Sequence, residues 1–371
     1  MTKTGTKKLR LLVAGGGTGG HLYPALAIVE EVVAQNVLEE VLFVGTKNGI
    51  EAQKVPAFGY PIKFVWISGF QRSLKFRNLV FPLKVLWSLW QSGRIIRSFK
   101  PTVVLGTGGY VSGPVLYVAT WRGLPTLIQE QNSYPGITTR LLAARVDQVH
   151  LSFAESKQYF KRQDNLRVTG NPVFKKLTEY DRSEAYQIFE LAPDKFTILI
   201  TGGSQGAQAI NACVLELLDD LMQSDRFQLI WSTGKSDYEM IQTRCAVYGK
   251  RIWRRDFIDN MAAAYTIADL AITRAGALTL TELAIAAVPA ILVPYPYAAG
   301  QHQLYNALSL MKSGAAIVIE QKHLQREKLL QTILELFQNP GQLKKMQERI
   351  QATAQRNASK QIVEALIKIS T

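Results

Sequence analysis

Ala14-Gly15-Gly16-Gly17-Thr18-Gly19-Gly20-His21 and Thr201-Gly202-Gly203-Ser204-Gln205-Gly206-Ala207 are two glycine-rich turns of the same design, and they decide the fold. Each turn follows an apolar run and precedes an amphipathic helical pattern. Glycine lets the backbone bend sharply and approach a ligand closely. The helix that follows offers N–H groups and a positive dipole end to an anion. Two such turns, opening the two halves of one chain, predict two nucleotide-binding folds that face each other across a cleft.

Strand and helix patterns alternate in both halves, which predicts an α/β fold with parallel sheets and helices on both sheet faces. Ligand sites are then expected at the carboxyl ends of the strands. Gly170-Asn171-Pro172 is a turn signal. We therefore predict a first domain at 1–170 and a second at 171–357. The last helix, within 358–371, is expected to return to the first domain.

Composition limits the classes of protein. The chain has 371 residues, more than one ordinary core holds, and Cys213 and Cys245 are its two cysteines. This usage predicts neither a disulfide framework nor a cysteine metal site, and favours a reducing compartment. No apolar run is long enough to span a membrane and no signal-peptide core opens the chain, so no transmembrane segment is expected.

The net charge of +14 is unevenly distributed, since residues 1–170 carry 21 basic and 9 acidic side chains. The segment 70–100 holds seven basic residues and no acidic one, interspersed with Trp87, Trp90 and other apolar residues. This pattern favours an interfacial surface on anionic lipid. A core helix with a basic outer edge is the alternative. Nucleic acid is not favoured, because no nucleic-acid motif accompanies the charge.

His21 follows the first glycine turn directly, at a predicted helix start. An imidazole in that place can accept a proton from a substrate hydroxyl. A helix-capping or packing histidine is the alternative. No acidic residue ends the predicted second strand at 41–45, where a dinucleotide site needs one for its ribose, so NAD is not favoured.

Two further patterns lie in the first half. The third glycine cluster, Gly106-Thr107-Gly108-Gly109-Tyr110, follows a buried-looking strand and suits a diphosphate or a sugar. Tight packing of helix on strand is the alternative. Gln129-Glu130-Gln131-Asn132 places four polar side chains at a strand end, where they suit sugar hydroxyls.

The second half offers groups that suit a nucleotide sugar. Ser204 can donate to a phosphate, and Glu282, one turn into the helix after Arg274-Ala275-Gly276-Ala277-Leu278-Thr279, can accept from both ribose hydroxyls. An exposed helix glutamate is the alternative for Glu282. The amide and imidazole of Gln301-His302-Gln303 suit hexose hydroxyls, and Phe257-Ile258 suits a base. No metal-ligand spacing is present, so neither a metal nor a cofactor is predicted.

Six motifs occur here in the order found in one known family. They are 16–21, 106–114, 130–132, 170–173, 202–207 and 274–279. The chain resembles the peptidoglycan N-acetylglucosaminyltransferase family that converts lipid I to lipid II, across nearly its whole length. The resemblance implies two Rossmann-like domains of the GT-B type. It also implies transfer of N-acetylglucosamine from UDP-N-acetylglucosamine, with inversion, to the C4 hydroxyl of an undecaprenyl-diphospho-muramoylpentapeptide. The enzyme would act at the cytoplasmic face of the bacterial membrane.

The resemblance also implies roles for residues. Glu282 would bind the ribose, the backbone of Ile258 the uracil, and His21 would be the catalytic base. The implied donor contacts are Thr18, Gly19, Gly20, Asn132, Ser204, Gln205, Gly206, Phe257, Ile258, Arg274, Ala277, Leu278, Thr279, Glu282, His302 and Gln303. The implied acceptor contacts are Gly17, Thr18, Gly108, Gly109 and Tyr110. One departure is that Phe174, Lys175 and Lys176 stand where the family commonly has an arginine.

Three other functions stay open on the sequence. Another UDP-sugar glycosyltransferase would share the donor half but not the first-half loops. A UDP-sugar epimerase would share the fold and need no acceptor. A non-enzymatic basic binding protein would explain the charge and leave the paired glycine turns unexplained.

Overall fold

The computed structural model describes residues 8–69, 81–178, 180–203 and 206–370. They form two compact units. Unit 1 comprises Met1–Phe174 and Gln355–Thr371, and unit 2 comprises Lys175–Ala354. None of the helices in these described ranges is long and apolar enough to cross a bilayer.

The described part of unit 1 is a parallel sheet of seven strands with helices on both faces. Its strands are β1 (Leu9–Gly15), β2 (Leu38–Gly45), β3 (Ile62–Phe64), β4 (Val103–Gly108), β5 (Thr126–Glu130), β6 (Gln148–Leu151) and β7 (Leu166–Val168). Its helices are α1 (Gly19–Ala34), α2 (Glu51–Ala57), α3 (Phe81–Phe99), α4 (Gly109–Trp121), α5 (Ile137–Leu142) and α14 (Ala358–Ile369). A 3-10 helix spans Ala154–Tyr159.

Unit 2 is built the same way, on a parallel sheet of six strands within its described residues. Its strands are β8 (Phe196–Thr201), β9 (Phe227–Ser232), β10 (Ile252–Arg255), β11 (Leu270–Thr273), β12 (Ala290–Leu292) and β13 (Ala316–Val318). Its helices are α6 (Arg182–Phe189), α7 (Gln208–Met222), α8 (Tyr238–Cys245), α9 (Met261–Ile267), α10 (Ala277–Ala286), α11 (His302–Lys312), α12 (Arg326–Gln338) and α13 (Pro340–Ala352). Short 3-10 helices lie at Lys175–Thr178, Ala246–Arg251, Ala299–Gln301 and Gln321–His323.

The apolar runs become strands buried on both faces, as parallel sheets require. In β1, Leu12 and Ala14 belong to one core cluster, while Leu11 and Val13 belong to the cluster on the opposite face. The second of these clusters also contains Ile362 and Leu366, so α14 packs against α1 within unit 1. In β8, Leu199 faces one core cluster of unit 2 and Ile200 faces the other.

The strand orders place a reversal point in each sheet. The order is β3-β2-β1-β4-β5-β6-β7 in unit 1 and β10-β9-β8-β11-β12-β13 in unit 2. The chain winds outward in one direction from β1 or β8 and in the other from β4 or β11. Ligands of such sheets bind at the carboxyl ends of the two strands that flank this reversal. The turns after β1 and β4, and those after β8 and β11, therefore lie at the expected ligand edge of each sheet.

The prediction of an α/β fold on two parallel sheets is confirmed, while several boundaries differ. The patterns predict helices at 24–35 and 112–121, but α1 begins at Gly19 and α4 at Gly109. Both helices begin inside their glycine clusters, where apolar periodicity gives no signal. The pattern at 62–67 predicts a strand, but only the three residues of β3 form one. No helical pattern predicts α6. Asp181 caps α6 by accepting from the backbone N–H of Ser183.

Candidate active site

In unit 1 the turns that follow β1 and β4 are in contact. Gly15 and Gly108 are register partners of the two strands. A Cβ atom on Gly109 would lie 2.5 Å from the carbonyl oxygen of Gly16, and one on Gly108 would lie 2.7 Å from Nδ1 of His21. Gly108 and Gly109 also have φ values of 99° and 79°, which favour glycine. These glycines allow the two turns, and the His21 ring, to approach each other.

The buried carboxylate of Glu51 fixes the turn after β1 through hydrogen bonds. Glu51 is fully buried, and its Oε2 accepts from the backbone N–H of Gly17 at 2.7 Å. Its Oε1 accepts from the backbone N–H and the hydroxyl of Thr46, both at 2.8 Å. The N–H of Gly17 is thus donated to the protein's own carboxylate rather than offered to a ligand. Sequence reasoning missed Glu51, although an acidic residue in the first turn of a helix that follows a strand end was a usable signal.

His21 lies in the first turn of α1 and is half-buried. Its Nδ1 lies 2.9 Å from Oε1 of Gln131, and its carbonyl oxygen accepts from the Thr107 hydroxyl at 2.8 Å. The ring is therefore bonded to the residue that follows β5, and the backbone of His21 is bonded to β4. This placement agrees with the predicted position at a helix start and leaves the catalytic role a prediction.

Gln129, Glu130 and Gln131 do not face solvent, so their interpretation as groups for sugar hydroxyls is wrong. All three side chains are buried and bonded within unit 1. Glu130, for example, accepts from the backbone N–H groups of Asn132 and Gly136, at 3.1 and 3.0 Å. A strand that is buried on both faces must satisfy its polar side chains internally. Asn132 is partly exposed and remains a candidate contact.

The other unit 1 candidates surround this point. Thr18 precedes α1 in an extended conformation with no side-chain capping bond, and Gly19 and Gly20 form the first turn. Tyr110, in the first turn of α4, is 52% exposed. Thr18, Gly19, Gly20, Gly108, Gly109 and Tyr110 thus cluster with His21 at the reversal point of the sheet. Their contacts to donor or acceptor remain predictions.

Phe174, at the position where the resembled family commonly has an arginine, packs among aromatic rings of unit 1. Its ring stacks on Phe58 with centroids 5.9 Å apart and meets Tyr23 edge-on at 6.4 Å. Its side chain is therefore used for packing. Lys175 is exposed, and the side chain of Lys176 lies outside the described residues.

In unit 2 the turn after β8 lies close to the turn after β9. A Cβ atom on Gly206 would lie 2.5 Å from the carbonyl oxygen of Thr233, and Gly206 has a φ of 77°. The predicted contacts Ser204 and Gln205 lie outside the described residues. Beside this turn, the backbone N–H of Gly234 donates to the carbonyl oxygen of Asp256 at 3.0 Å, which ties down the loop that carries Phe257 and Ile258. Phe257 is 45% exposed, while the side chain of Ile258 is in the core.

Helix α10 begins directly after β11, at the reversal point. Gly276 is its N-terminal cap and provides no side-chain hydrogen bond. Ala277, Leu278 and Thr279 form the first turn, whose N–H groups have no acceptor within the helix. This geometry suits a phosphate or other anion.

Glu282 lies one turn further along α10 and is not the exposed glutamate of the alternative interpretation. It is partly buried, and its Oε2 accepts from the Tyr265 hydroxyl at 2.9 Å. Burial raises the pKa of Glu282 to about 7, while the hydrogen bond from Tyr265 acts in the opposite direction. Tyr265 is buried, and sequence reasoning missed it. Glu282 can therefore change charge near neutral pH, which is typical of functional sites.

The loop between β12 and α11 is held by three of the predicted donor contacts. The Arg274 guanidinium donates to the carbonyl oxygen of Val293 at 3.0 Å and to Oε1 of Gln321 at 2.8 Å, and lies 5.4 Å from the centre of the Tyr295 ring. Gln303 accepts from the backbone N–H of Tyr295 at 2.9 Å, and Nδ1 of His302 lies 2.7 Å from the carbonyl oxygen of Ala299. These side chains shape the loop, and their contacts to a donor remain predictions. Within the described residues, no group of His, Cys, Asp and Glu is arranged to hold a metal ion.

Comparison with known proteins gives the family. The family models of the glycosyltransferase family 28 N-terminal and C-terminal domains match residues 11–151 and 197–362. The chain is 40% identical to the UDP-N-acetylglucosamine–N-acetylmuramyl-(pentapeptide) pyrophosphoryl-undecaprenol N-acetylglucosamine transferase of Desulforamulus reducens, and the match covers 97% of this chain and 99% of that protein.

Solved structures agree with this result. The structure of MurG from Acinetobacter baumannii matches with a TM-score of 0.77 and 31% identity, over 96% of this chain and 99% of that one. A UDP-GlcNAc 2-epimerase from Neisseria meningitidis matches with a TM-score of 0.68 at 14% identity, over 96% of this chain and 99% of that one, which shows a shared fold alone. The fold therefore does not separate transferase from epimerase, but the near-full-length sequence identity does. The resemblance is confirmed, and the chain belongs to glycosyltransferase family 28 and, within it, to the family of N-acetylglucosamine transferases of lipid-linked peptidoglycan precursors.

Proposed function

We propose that this chain transfers N-acetylglucosamine from UDP-N-acetylglucosamine to the C4 hydroxyl of the muramoyl sugar in undecaprenyl-diphospho-muramoylpentapeptide. The observation that carries the proposal is the 40% identity, over 97% of the chain, to a transferase with that donor and acceptor in its name. The site supports it, because a histidine lies at the reversal point of unit 1, and a helix start of the kind that suits an anion lies at that of unit 2.

The proposed reaction is a single displacement with inversion. His21 takes the proton of the acceptor's C4 hydroxyl while the oxygen of that hydroxyl forms a bond to the anomeric carbon of the donor. The bond from that carbon to the diphosphate oxygen breaks, and UDP leaves with the electron pair. The N–H groups at the start of α10 stabilise the negative charge that develops on UDP.

Unit 2 is proposed to hold the donor. Glu282 accepts from the ribose hydroxyls, and its bond from Tyr265 leaves the rest of the carboxylate to do so. The backbone of Ile258, whose side chain is anchored in the core, reads the uracil. His302 and Gln303 contact the sugar.

Unit 1 is proposed to bind the acceptor and an anionic membrane surface, at the cytoplasmic face of the membrane. On α3, the large apolar side chains Leu83, Leu86, Trp87 and Trp90 are 49–64% exposed and recur at helical spacing. Basic groups accompany them, since Lys84 lies 5.6 Å from the centre of the Trp66 ring and Arg94 lies 4.9 Å from that of Trp90. Amphipathic tryptophans with cations suit the interface of an anionic bilayer. The basic stretch 70–80, which is part of the predicted segment 70–100, lies outside the described residues.

The test is turnover of UDP-N-acetylglucosamine with and without a soluble analogue of the lipid-linked acceptor. We expect UDP release and a new disaccharide product only when the acceptor is present. Release of free sugar or of an epimer without acceptor would instead support the epimerase alternative and contradict the proposal.

A further inference from the structure

The side-chain amide of Gln131 is held in one orientation by three oxygen atoms. Its Nε2 donates to the carbonyl oxygens of Thr107 and Gln129, at 2.7 and 3.0 Å, and to Oε1 of Gln129 at 2.5 Å. An amide oxygen at that place would face three acceptors and no donor, so the nitrogen must point there. The other amide atom, Oε1, therefore faces Nδ1 of His21 at 2.9 Å.

The amides of Gln129 and Asn171 form further hydrogen bonds that hold Gln131 and its partners in place. Nε2 of Gln129 donates to Oδ1 of Asn171 at 3.0 Å and to the Ser152 hydroxyl oxygen at 3.1 Å. Asn171 in turn donates through Nδ2 to the carbonyl oxygen of Gln131 at 3.2 Å. Gln129, Gln131 and Asn171 are all buried, so a rotation that leaves one of these groups without its hydrogen-bond partner is unfavourable. The network therefore resists rotation of the Gln131 amide.

This orientation decides which ring nitrogen of His21 carries a hydrogen. An amide oxygen only accepts, so Nδ1 of His21 must donate to it. A neutral imidazole with its hydrogen on Nδ1 has its lone pair on Nε2. Nε2 is then the atom that can accept a proton from a hydroxyl.

We propose that Gln131 is a positioning residue that holds His21 in the tautomer with hydrogen on Nδ1 and the lone pair on Nε2. The proposal rests on the proposed function, in which His21 is the base. The hydroxyl proton passes to Nε2, and the imidazolium that forms still donates through Nδ1 to Gln131. A neutral amide serves this purpose, because a carboxylate at the same place would favour the imidazolium, which has no lone pair.

The carboxylates of the neighbouring elements do not take over this role. Glu51 on α2 accepts from Gly17 and Thr46, and Glu130 at the end of β5 accepts from Asn132 and Gly136. Both are engaged by backbone N–H groups of the loops that surround the histidine.

The first test is ¹⁵N NMR of protein labelled at histidine, without any substrate. The chain has four histidines, so the His21 signals are assigned by their loss in His21→Gln. We expect wild-type neutral His21 to carry its hydrogen on Nδ1, and Gln131→Leu to lose this preference. A wild-type hydrogen on Nε2, or an unchanged tautomer in a folded Gln131→Leu protein, would overturn the proposal.

The second test is kinetic. Gln131→Leu should lower kcat about ten- to hundred-fold, a part of the 10²–10⁴-fold contribution of a general base, with the KM for UDP-N-acetylglucosamine unchanged. Gln131→Glu should keep the tautomer but move the acid limb of the kcat–pH profile upward by about 1–3 pH units. Gln158→Leu, an exposed site in the same unit, is the matched control and should behave as wild type. A Gln131→Glu profile that coincides with wild type would contradict the positioning role.

The two tests separate this inference from the proposed function. Normal turnover by His21→Ala would remove His21 as the base, whereas the NMR result on the free protein would still report whether Gln131 sets its tautomer.

Discussion

The turn after β1 in unit 1 and the turn after β11 in unit 2 both lie at the reversal point of their sheet, yet their surroundings differ. In unit 1 the turn is hydrogen-bonded to other groups of the protein. The Glu51 carboxylate accepts from the N–H of Gly17, and the amide oxygen of Gln131 is bonded to Nδ1 of His21. In unit 2, helix α10 follows β11 and carries Glu282, which is partly buried one turn from the helix start and accepts from the Tyr265 hydroxyl. One reversal point therefore holds a histidine in a hydrogen-bond network, and the other holds a carboxylate close to a helix start.

The difference teaches how one fold serves two tasks. A base must be held in a fixed orientation, which favours a preorganised network of buried hydrogen bonds. A nucleotide sugar needs acceptors for its ribose hydroxyls and N–H groups near its diphosphate, which favours a carboxylate next to a helix start. We therefore expect substitutions of His21 and Gln131 to affect the chemical step and those of Glu282 to affect donor binding.

The largest expected effect is that of His21→Ala. Loss of a general base should lower kcat by about 10²–10⁴-fold, while the affinity for UDP-N-acetylglucosamine stays near wild type. Steady-state kinetics with an acceptor analogue and calorimetric titration of the donor measure the two quantities. His323→Ala, at an exposed histidine of unit 2, is the control. Turnover by His21→Ala at the wild-type rate would show that the histidine at the reversal point of unit 1 is not the catalytic base.

Next in size is the effect of Glu51→Gln on the stability of unit 1. In either orientation the amide would present its NH₂ group to a backbone N–H, that of Gly17 or that of Thr46, which now donates to a buried carboxylate, at a cost of about 3 kcal/mol. Urea denaturation should show an earlier transition. Glu364→Gln, at an exposed site on α14 in the same unit, should leave that transition in place. An equal response of both variants would mean that Glu51 does not fix the turn.

A smaller effect is expected in unit 2, where the affinity for the donor should depend on pH. Since burial raises the pKa of Glu282 to about 7, the carboxylate forms as the pH rises through that value. The charged form accepts from both ribose hydroxyls, so the affinity for UDP-N-acetylglucosamine should fall about ten-fold from pH 8 to pH 6. The diphosphate of UDP-N-acetylglucosamine is esterified at both ends and does not titrate between pH 6 and pH 8.

The folding stability of the free protein should depend on pH in the opposite direction to the donor affinity. A buried carboxyl whose pKa is raised stabilises the folded state in its neutral form, so the free protein should lose stability as the pH rises from about 4.5 to above 7. Glu282→Gln should remove both pH dependences, with Glu348→Gln as the exposed control. Donor binding by Glu282→Gln that still varies ten-fold with pH would assign the effect to another group.

The smallest expected effect concerns the apolar face of α3. Trp90→Ala should weaken binding to vesicles that contain anionic lipid by about five-fold, from the loss of ~1 kcal/mol of apolar burial. Vesicle sedimentation measures it, and binding should also weaken with salt. Val247→Ala, an exposed apolar site of unit 2, is the control. Equal binding by Trp90→Ala and wild type would place the membrane surface elsewhere.

The glycine turns and apolar runs were enough to predict both sheets, since backbone geometry and burial on both faces depend on local sequence. The position of His21 at a helix start was likewise predictable. Its partner was not, because the meeting of His21 with Gln131, 110 residues away, is set by the order of the strands. The same holds for Glu282 and Tyr265, which α9 and α10 bring together. Gln129 and Gln131 were misread as ligand groups, since local sequence does not show which polar side chains at a strand end are buried.

The most direct test of the division of roles is a single-turnover experiment on His21→Ala and Glu282→Ala side by side. Enzyme in excess over labelled UDP-N-acetylglucosamine, with saturating acceptor analogue, gives the transfer rate and the donor affinity from one series of enzyme concentrations. We expect His21→Ala to slow the transfer at every concentration without shifting the half-saturation point, and Glu282→Ala to shift that point while approaching the wild-type rate at saturation. The reverse pattern, with donor affinity lost in His21→Ala and the saturated rate lost in Glu282→Ala, would contradict the account.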